Sequence, residues 1–111
     1  MMERNNLKTL ALNLKKNPAD SFSKFALALE LLKRNEVSKA RILFESVLKQ
    51  DPQYLGVYYH LGKLYESMGL LQEAFEIYNK GMVVAKMQEN LRTLSELNDA
   101  LEILKIEMND D

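Results

Sequence analysis

The sequence predicts an all-α protein made of two stacked helix–turn–helix repeats with a single further helix at each end. Three observations predict it. A shift of 34 residues brings chemically similar positions together: Leu27 with Leu61, Ala28 with Gly62, Leu31 with Tyr65, Asn35 with Gly69, Ala40 with Ala74, Phe44 with Tyr78 and Leu48 with Met82. Apolar residues recur at spacings of three and four, the period of a helix face. Pro, Gly and Asn fall where one helix should stop and the next begin, and Pro18 and Pro52 obey the same shift.

The N-terminal helix, at about 4–16, carries Leu7, Leu10, Ala11 and Leu14 on one face and Arg4, Lys8 and Lys15 elsewhere. Leu10 lies one period before Phe44, Leu14 before Leu48 and Asn6 before Ala40, so this helix reads as the second half of a repeat. The first repeat follows as helices at about 19–34 and 37–49, the second as helices at about 53–67 and 71–86. Asn17-Pro18 and Asp51-Pro52 look like N-caps followed by a proline in the first helical position, where its missing N–H is harmless. Asn35 and Gly69 tolerate the left-handed conformation that closes a helix and so mark the turn within each repeat. After Ala85 the repeat fails, because Ser95 and Glu96 stand one period beyond Leu61 and Gly62. A turn near Gln88–Asn90 then leads into a helix at about 91–108, with Leu91, Leu94, Leu97, Leu101, Leu104 and Met108 on one side and Glu96, Asp99, Glu102 and Lys105 on the other. One domain over 1–111 is expected: an N-terminal helix in 1–18, repeats over 19–52 and 53–86, and a capping helix in 87–111.

Composition narrows the function. With 111 residues, 47% apolar and 28% charged, the chain can bury a core. Fifteen basic against sixteen acidic side chains give a net charge of −1, which argues against nucleic acid and membrane as partners. No Cys and one His leave no donor set for a metal, and no cofactor is expected. The start, from Met1 to Leu10, has no continuous apolar stretch of the kind a signal peptide needs, so a cytoplasmic protein is expected. Glycines at 56, 62, 69 and 81 are isolated and form no phosphate loop, and no small-molecule substrate is expected. His60 is the one side chain that titrates near neutrality, with no second His to work beside it, and Glu76 reads as an ion-pair partner of Lys80. An enzyme is not expected. Charge divides unevenly, +5 over residues 1–49 and −6 over 50–111. Lys33, Arg34, Lys39 and Arg41 cluster near Phe22 and Phe25, a pattern that could track a single nucleic-acid strand, but the total charge opposes it.

The second repeat reads Tyr58-x-x-Leu61-Gly62-x-x-Tyr65 and then Ala74-x-x-x-Tyr78, which resembles the tetratricopeptide repeat. The first repeat matches less well: Lys24 replaces the aromatic, Ala28 the Gly and Leu31 the Tyr, while Ala40, Phe44 and the closing Pro52 agree. Lys86 stands where the second repeat would end in Pro. The resemblance implies a right-handed α-solenoid of two such repeats with an N-terminal half-repeat helix and a C-terminal capping helix. It also implies that the first helix of each pair lines a concave surface that binds protein or peptide.

On the first helix of the first repeat two apolar stripes can be drawn. Lys24, Leu27, Ala28 and Leu31 form the packing stripe; Phe22, Phe25, Leu29 and Leu32 form a second, expected to face the groove. Groove positions on the next first helix are Gly56, Tyr59, Lys63 and Glu66. The residues assigned to binding a protein segment are therefore Phe22, Phe25, Leu29, Leu32, Lys33, Tyr59, Lys63 and Glu66. The alternatives are a homodimer that buries the same stripe, and a stripe covered by the chain's own C-terminal helix or N-terminus. Burying such side chains gains about 1.5–3 kcal/mol each against an association cost of about 4–15 kcal/mol, which suits micromolar binding. Relatives that grip a C-terminal carboxylate use polar groups where Phe25 and Leu29 stand here, so that mode is not expected.

Overall fold

A computed structural model describes residues 2–109, with side chains from Leu7 onward. Its elements are α1 (Met2–Lys16), α2 (Ser21–Lys33), α3 (Val37–Gln50), α4 (Gly56–Ser67), α5 (Leu71–Met87) and α6 (Leu91–Met108). Among the described residues there is no strand. The expected wet-face placement of Arg4 and the alignment of Asn6 concern side chains outside those described.

The helices pack as two compact units, one ending at Tyr54 and the other beginning at Leu55. In the first, α1 packs on α2 and α2 on α3; in the second, α4 packs on α5 and α5 on α6. Three of the pairs matched by the 34-residue shift are buried in both units, whereas Leu27 and Leu31 are half-buried where Leu61 and Tyr65 are buried. Ala28 and Gly62 are buried, Ala40 and Ala74 are fully buried, and so are Phe44 and Tyr78. Leu10 of α1, one further period back, is buried as well.

The turns after α2, α4 and α5 have one construction. The N–H of Glu36 donates to the Leu31 carbonyl (2.8 Å) and that of Asn35 to Leu32 (2.9 Å). Leu70 and Gly69 repeat this on Tyr65 (2.8 Å) and Glu66 (3.0 Å), and Asn90 and Glu89 on Ala85 (2.9 Å) and Lys86 (3.1 Å). This double closure of the last helical turn needs its first donor residue in the left-handed conformation. Asn35, Gly69 and Glu89 supply it, with φ of 61°, 76° and 56°. The first two were legible as Asn and Gly; Glu89 is the residue type that gave no signal.

The prolines act differently from expectation. The Asp20 N–H donates to the Asn17 carbonyl (3.1 Å) and the Tyr54 N–H to Asp51 (3.0 Å), so Pro18 and Pro52 occupy the second position of β-turns that precede the helices. Helix α2 starts at Ser21 behind Asp20, and α4 starts at Gly56. A proline φ suits both a turn and a first helical position, so the sequence alone does not separate them. Glu76 accepts from Gln72 Nε2 (3.3 Å) in place of the expected pair with Lys80.

Helix α6 buries Leu97, Ala100, Leu101 and Leu104, which lie 39 residues after Tyr58, Leu61, Gly62 and Tyr65, the buried row of α4. The repeat pattern therefore persists past Ala85 in a shifted register. Helix α5 has 17 residues where α3 has 14, and α6 begins about one turn earlier than its α4 counterpart would at this spacing, which absorbs the difference. Leu91 was expected on the packed side but is 74% exposed, because it lies in that added first turn, beyond the buried row. Ile103 and Ile106, on the side expected to be polar, are also exposed.

Candidate functional site

In the first unit the second stripe of α2 is graded from open to packed. Phe22 is 64% exposed, whereas Phe25, Leu29 and Leu32 are half-buried. The Phe25 ring also packs inside the unit, 6.0 Å from Phe44 and 5.3 Å from Tyr54 between centroids. Tyr54 sits near Asp20 and Asp51; burial first, then these two carboxylates, raise its hydroxyl pKa and keep it neutral.

The packing stripe explains how a lysine can stand at the aromatic position of the first repeat. Lys24 Nζ donates to Ser46 Oγ (2.8 Å) and Gln50 Oε1 (2.7 Å) on α3. Gln50 Nε2 in turn donates to the Ala19 carbonyl (2.7 Å) and to Ser21 Oγ (2.8 Å). Hydrogen bonds thus hold the position that the buried Tyr58 fills in the second repeat. Two buried polar residues of α2 carried no clear signal in the sequence: Ser23, whose hydroxyl donates to the Asp20 carboxylate, and Glu30. Lys33 is exposed and lies 3.3 Å from Glu30.

The basic cluster near the first turn is largely matched by acids. Lys39 pairs with Glu36 (3.0 Å) and Arg41 with Glu45 (3.0 Å), as Lys33 does with Glu30.

In the second unit α4 and α6 enclose an open cleft of about 460 Å³, lined by Tyr59, His60, Lys63, Glu96, Asp99, Ala100 and Ile103. Tyr59 and Lys63 were expected at a groove; the four α6 residues were not, because the shifted register hides their relation to α4. Glu66 lies apart from this lining. Its carboxylate accepts the Tyr78 hydroxyl from α5, and Lys63 Nζ approaches it at 4.0 Å. Burial, then this hydrogen bond and the charge of Glu66, push the Tyr78 pKa well above the usual tyrosine range. His60 stands edge-on to the Tyr59 ring at 5.8 Å, and burial lowers its pKa, so near neutral pH the cleft carries its imidazole uncharged.

Gly62 is fixed by contact: a Cβ there would overlap the Tyr78 ring. Gly81 does the same between α4 and α6, where a Cβ would stand 2.6 Å from Tyr58 Cβ and 3.0 Å from Leu97 Cδ1. The missing side chain of Gly81 thus lets α5 approach both Tyr58 of α4 and Leu97 of α6.

Among the described residues no three His, Cys, Asp or Glu side chains group so as to hold a metal ion, and no helix is long and apolar enough to cross a membrane.

Comparison with known proteins places these features. A family model for the tetratricopeptide repeat matches residues 55–82. The solution structure of a tetratricopeptide repeat domain protein from Salinibacter ruber is similar over 79% of this chain and 89% of its own, with 43% identity and a TM-score of 0.75. The fold also resembles the TPR2B domain of yeast Sti1, solved in a complex with pHsp70, over 95% of this chain and 84% of that one (TM-score 0.86, 15% identity). It likewise resembles the type III secretion translocator chaperone SycD of Yersinia enterocolitica over 96% of this chain and 74% of that one (TM-score 0.88, 14% identity). No curated protein matches the chain. The repeat residues, the helix pairs they build and the extended identity to the Salinibacter ruber domain together mean that this chain belongs to the tetratricopeptide repeat family.

Proposed function

We propose that this chain is a non-catalytic protein-interaction module of the cytoplasm that binds an apolar or amphipathic segment of another protein. Phe22, Phe25, Leu29, Leu32 and Lys33 offer the contact surface in the first unit; Tyr59, Lys63 and Glu66 offer it in the second. The observation that carries the reading is Phe22, a large aromatic left 64% exposed at the head of an otherwise half-buried stripe. Exposed rings of this kind gain free energy when another surface covers them. Membership of a family that includes the Sti1 domain solved with pHsp70, and the likeness to a translocator chaperone, support it.

The test uses a synthetic Leu/Gln amphipathic helix as a charge-free probe, together with light scattering of the chain alone. A monomer that binds the probe, and loses that binding in Phe22→Glu with the fold intact, is the expected result. A dimer dissolved by Phe22→Glu would make the occupant of the stripe a second copy. Binding unaffected by the change would overturn the assignment of α2.

A further inference from the structure

The α4–α6 cleft has a chemistry that the α2 stripe lacks. One wall is α6, where Glu96 and Asp99, three residues apart, share a face. The other is α4, with the Tyr59 ring and Lys63. Lys63 already has Glu66 within 4.0 Å on its own helix, and His60 is held neutral by burial near pH 7. Arg92 approaches Glu96 at 3.7 Å, but its side chain is almost wholly exposed, and such a pair leaves the carboxylate available. The cleft is therefore acidic at its α6 wall, aromatic at Tyr59, and apolar at Ala100 and the exposed Ile103. Charges set in a recess with apolar walls concentrate their field and select the sign of what enters.

We propose that this cleft receives a basic amphipathic segment of a partner protein, with an arginine or lysine side chain lying on the Tyr59 ring between Glu96 and Asp99 and an apolar side chain covering Ala100 and Ile103. A cation over a tyrosine face and beside carboxylates is held by both. Ile103 supplies the apolar anchor next to it. Lys63 sets direction, because it repels a second cation at the α4 side of the cleft. This inference rests on the chain being an interaction module and adds the sign of the charge it selects.

The experiment titrates the full chain with two labelled synthetic helices of about 14 residues, which share their leucine positions and differ only in an all-Arg or all-Glu polar face, read by fluorescence anisotropy at ~50 mM salt, where a Debye length is long enough to register charge. The Arg helix is expected to bind about tenfold more tightly than the Glu helix. Glu96→Gln with Asp99→Asn is expected to weaken Arg-helix binding about tenfold, and Lys63→Gln to strengthen it about threefold, in line with close charge pairs. Glu73→Gln with Glu76→Gln removes the same charge from exposed positions of α5 and should change affinity less than about twofold. An equal loss from that control pair would mean diffuse attraction and would overturn the cleft as the site. Equal binding of both helices would remove charge selection while leaving the interaction module standing. Binding of neither the charged helices nor the Leu/Gln probe would remove both. A dimer that dissociates in the Glu96→Gln, Asp99→Asn variant would make the occupant a second copy and overturn the partner assignment.

Discussion

The Tyr78 hydroxyl of α5 donates to the Glu66 carboxylate of α4, and the same ring occupies the space that a side chain on Gly62 would need. One buried tyrosine thus ties the helix pair together through both its polar end and its face. Tyr78→Phe should cost about 1–2 kcal/mol, because it leaves Glu66 without that donor. Gly62→Ala should cost about 2–3 kcal/mol through overpacking against a fully buried ring. Urea midpoints of the two variants measure both.

The same hydroxyl makes stability depend on alkaline pH. Its pKa is raised in the folded chain above the ordinary value of 10. Between the unfolded and folded values the folded state holds more protons, so stability is complete below pH 10 and declines as pH rises further. Unfolding measured from pH 8 to 11 should show a steeper fall in the natural chain than in Tyr78→Phe; parallel curves would contradict the assignment.

The turns after α2, α4 and α5 share a hydrogen-bond pattern but not a residue type. Gly69 has φ of 76° with open space around its missing Cβ, so Gly69→Ala should cost about 1 kcal/mol from backbone strain alone. Glu89 carries that strain already at φ 56°, and Glu89→Gly should stabilise by about 0.5–1 kcal/mol. Thermal midpoints moving in opposite directions are the expected outcome.

Phe22 and Phe25 are three residues apart and should separate binding from folding. Phe22→Ala removes a largely exposed ring and should alter stability by less than about 0.5 kcal/mol. Phe25→Ala removes the contacts to Phe44 and Tyr54 and should cost about 2 kcal/mol. Chemical denaturation of the two variants side by side distinguishes them.

His60 offers a reporter at the acidic end. Burial lowers its pKa, so below pH 6.5 the unfolded chain takes up the proton first and stability falls as pH drops. The imidazole resonances should titrate below 6.5, and His60→Gln should flatten the acid limb of the stability curve.

Local rules made much of this protein readable from its residues. Helix faces follow from spacings of three and four, and Asn35 and Gly69 mark left-handed turns because few other residues reach that conformation at low cost. The pairing of Ala40 with Ala74 and of Phe44 with Tyr78 is legible because each repeat solves the same packing problem with similar volumes. Tertiary structure alone decided the rest. That Pro18 and Pro52 sit in turns and do not begin helices is seen only in the backbone hydrogen bonds from Asp20 to Asn17 and from Tyr54 to Asp51. The partial burial of Phe25 depended on Tyr54, 29 positions later. The cleft brings Tyr59 of α4 and Ile103 of α6 together, on helices whose buried rows are 39 residues apart in place of 34 because α5 is longer and α6 starts earlier. Periodicity fixes which face of a helix is apolar; only the neighbour that arrives fixes how much of that face remains open.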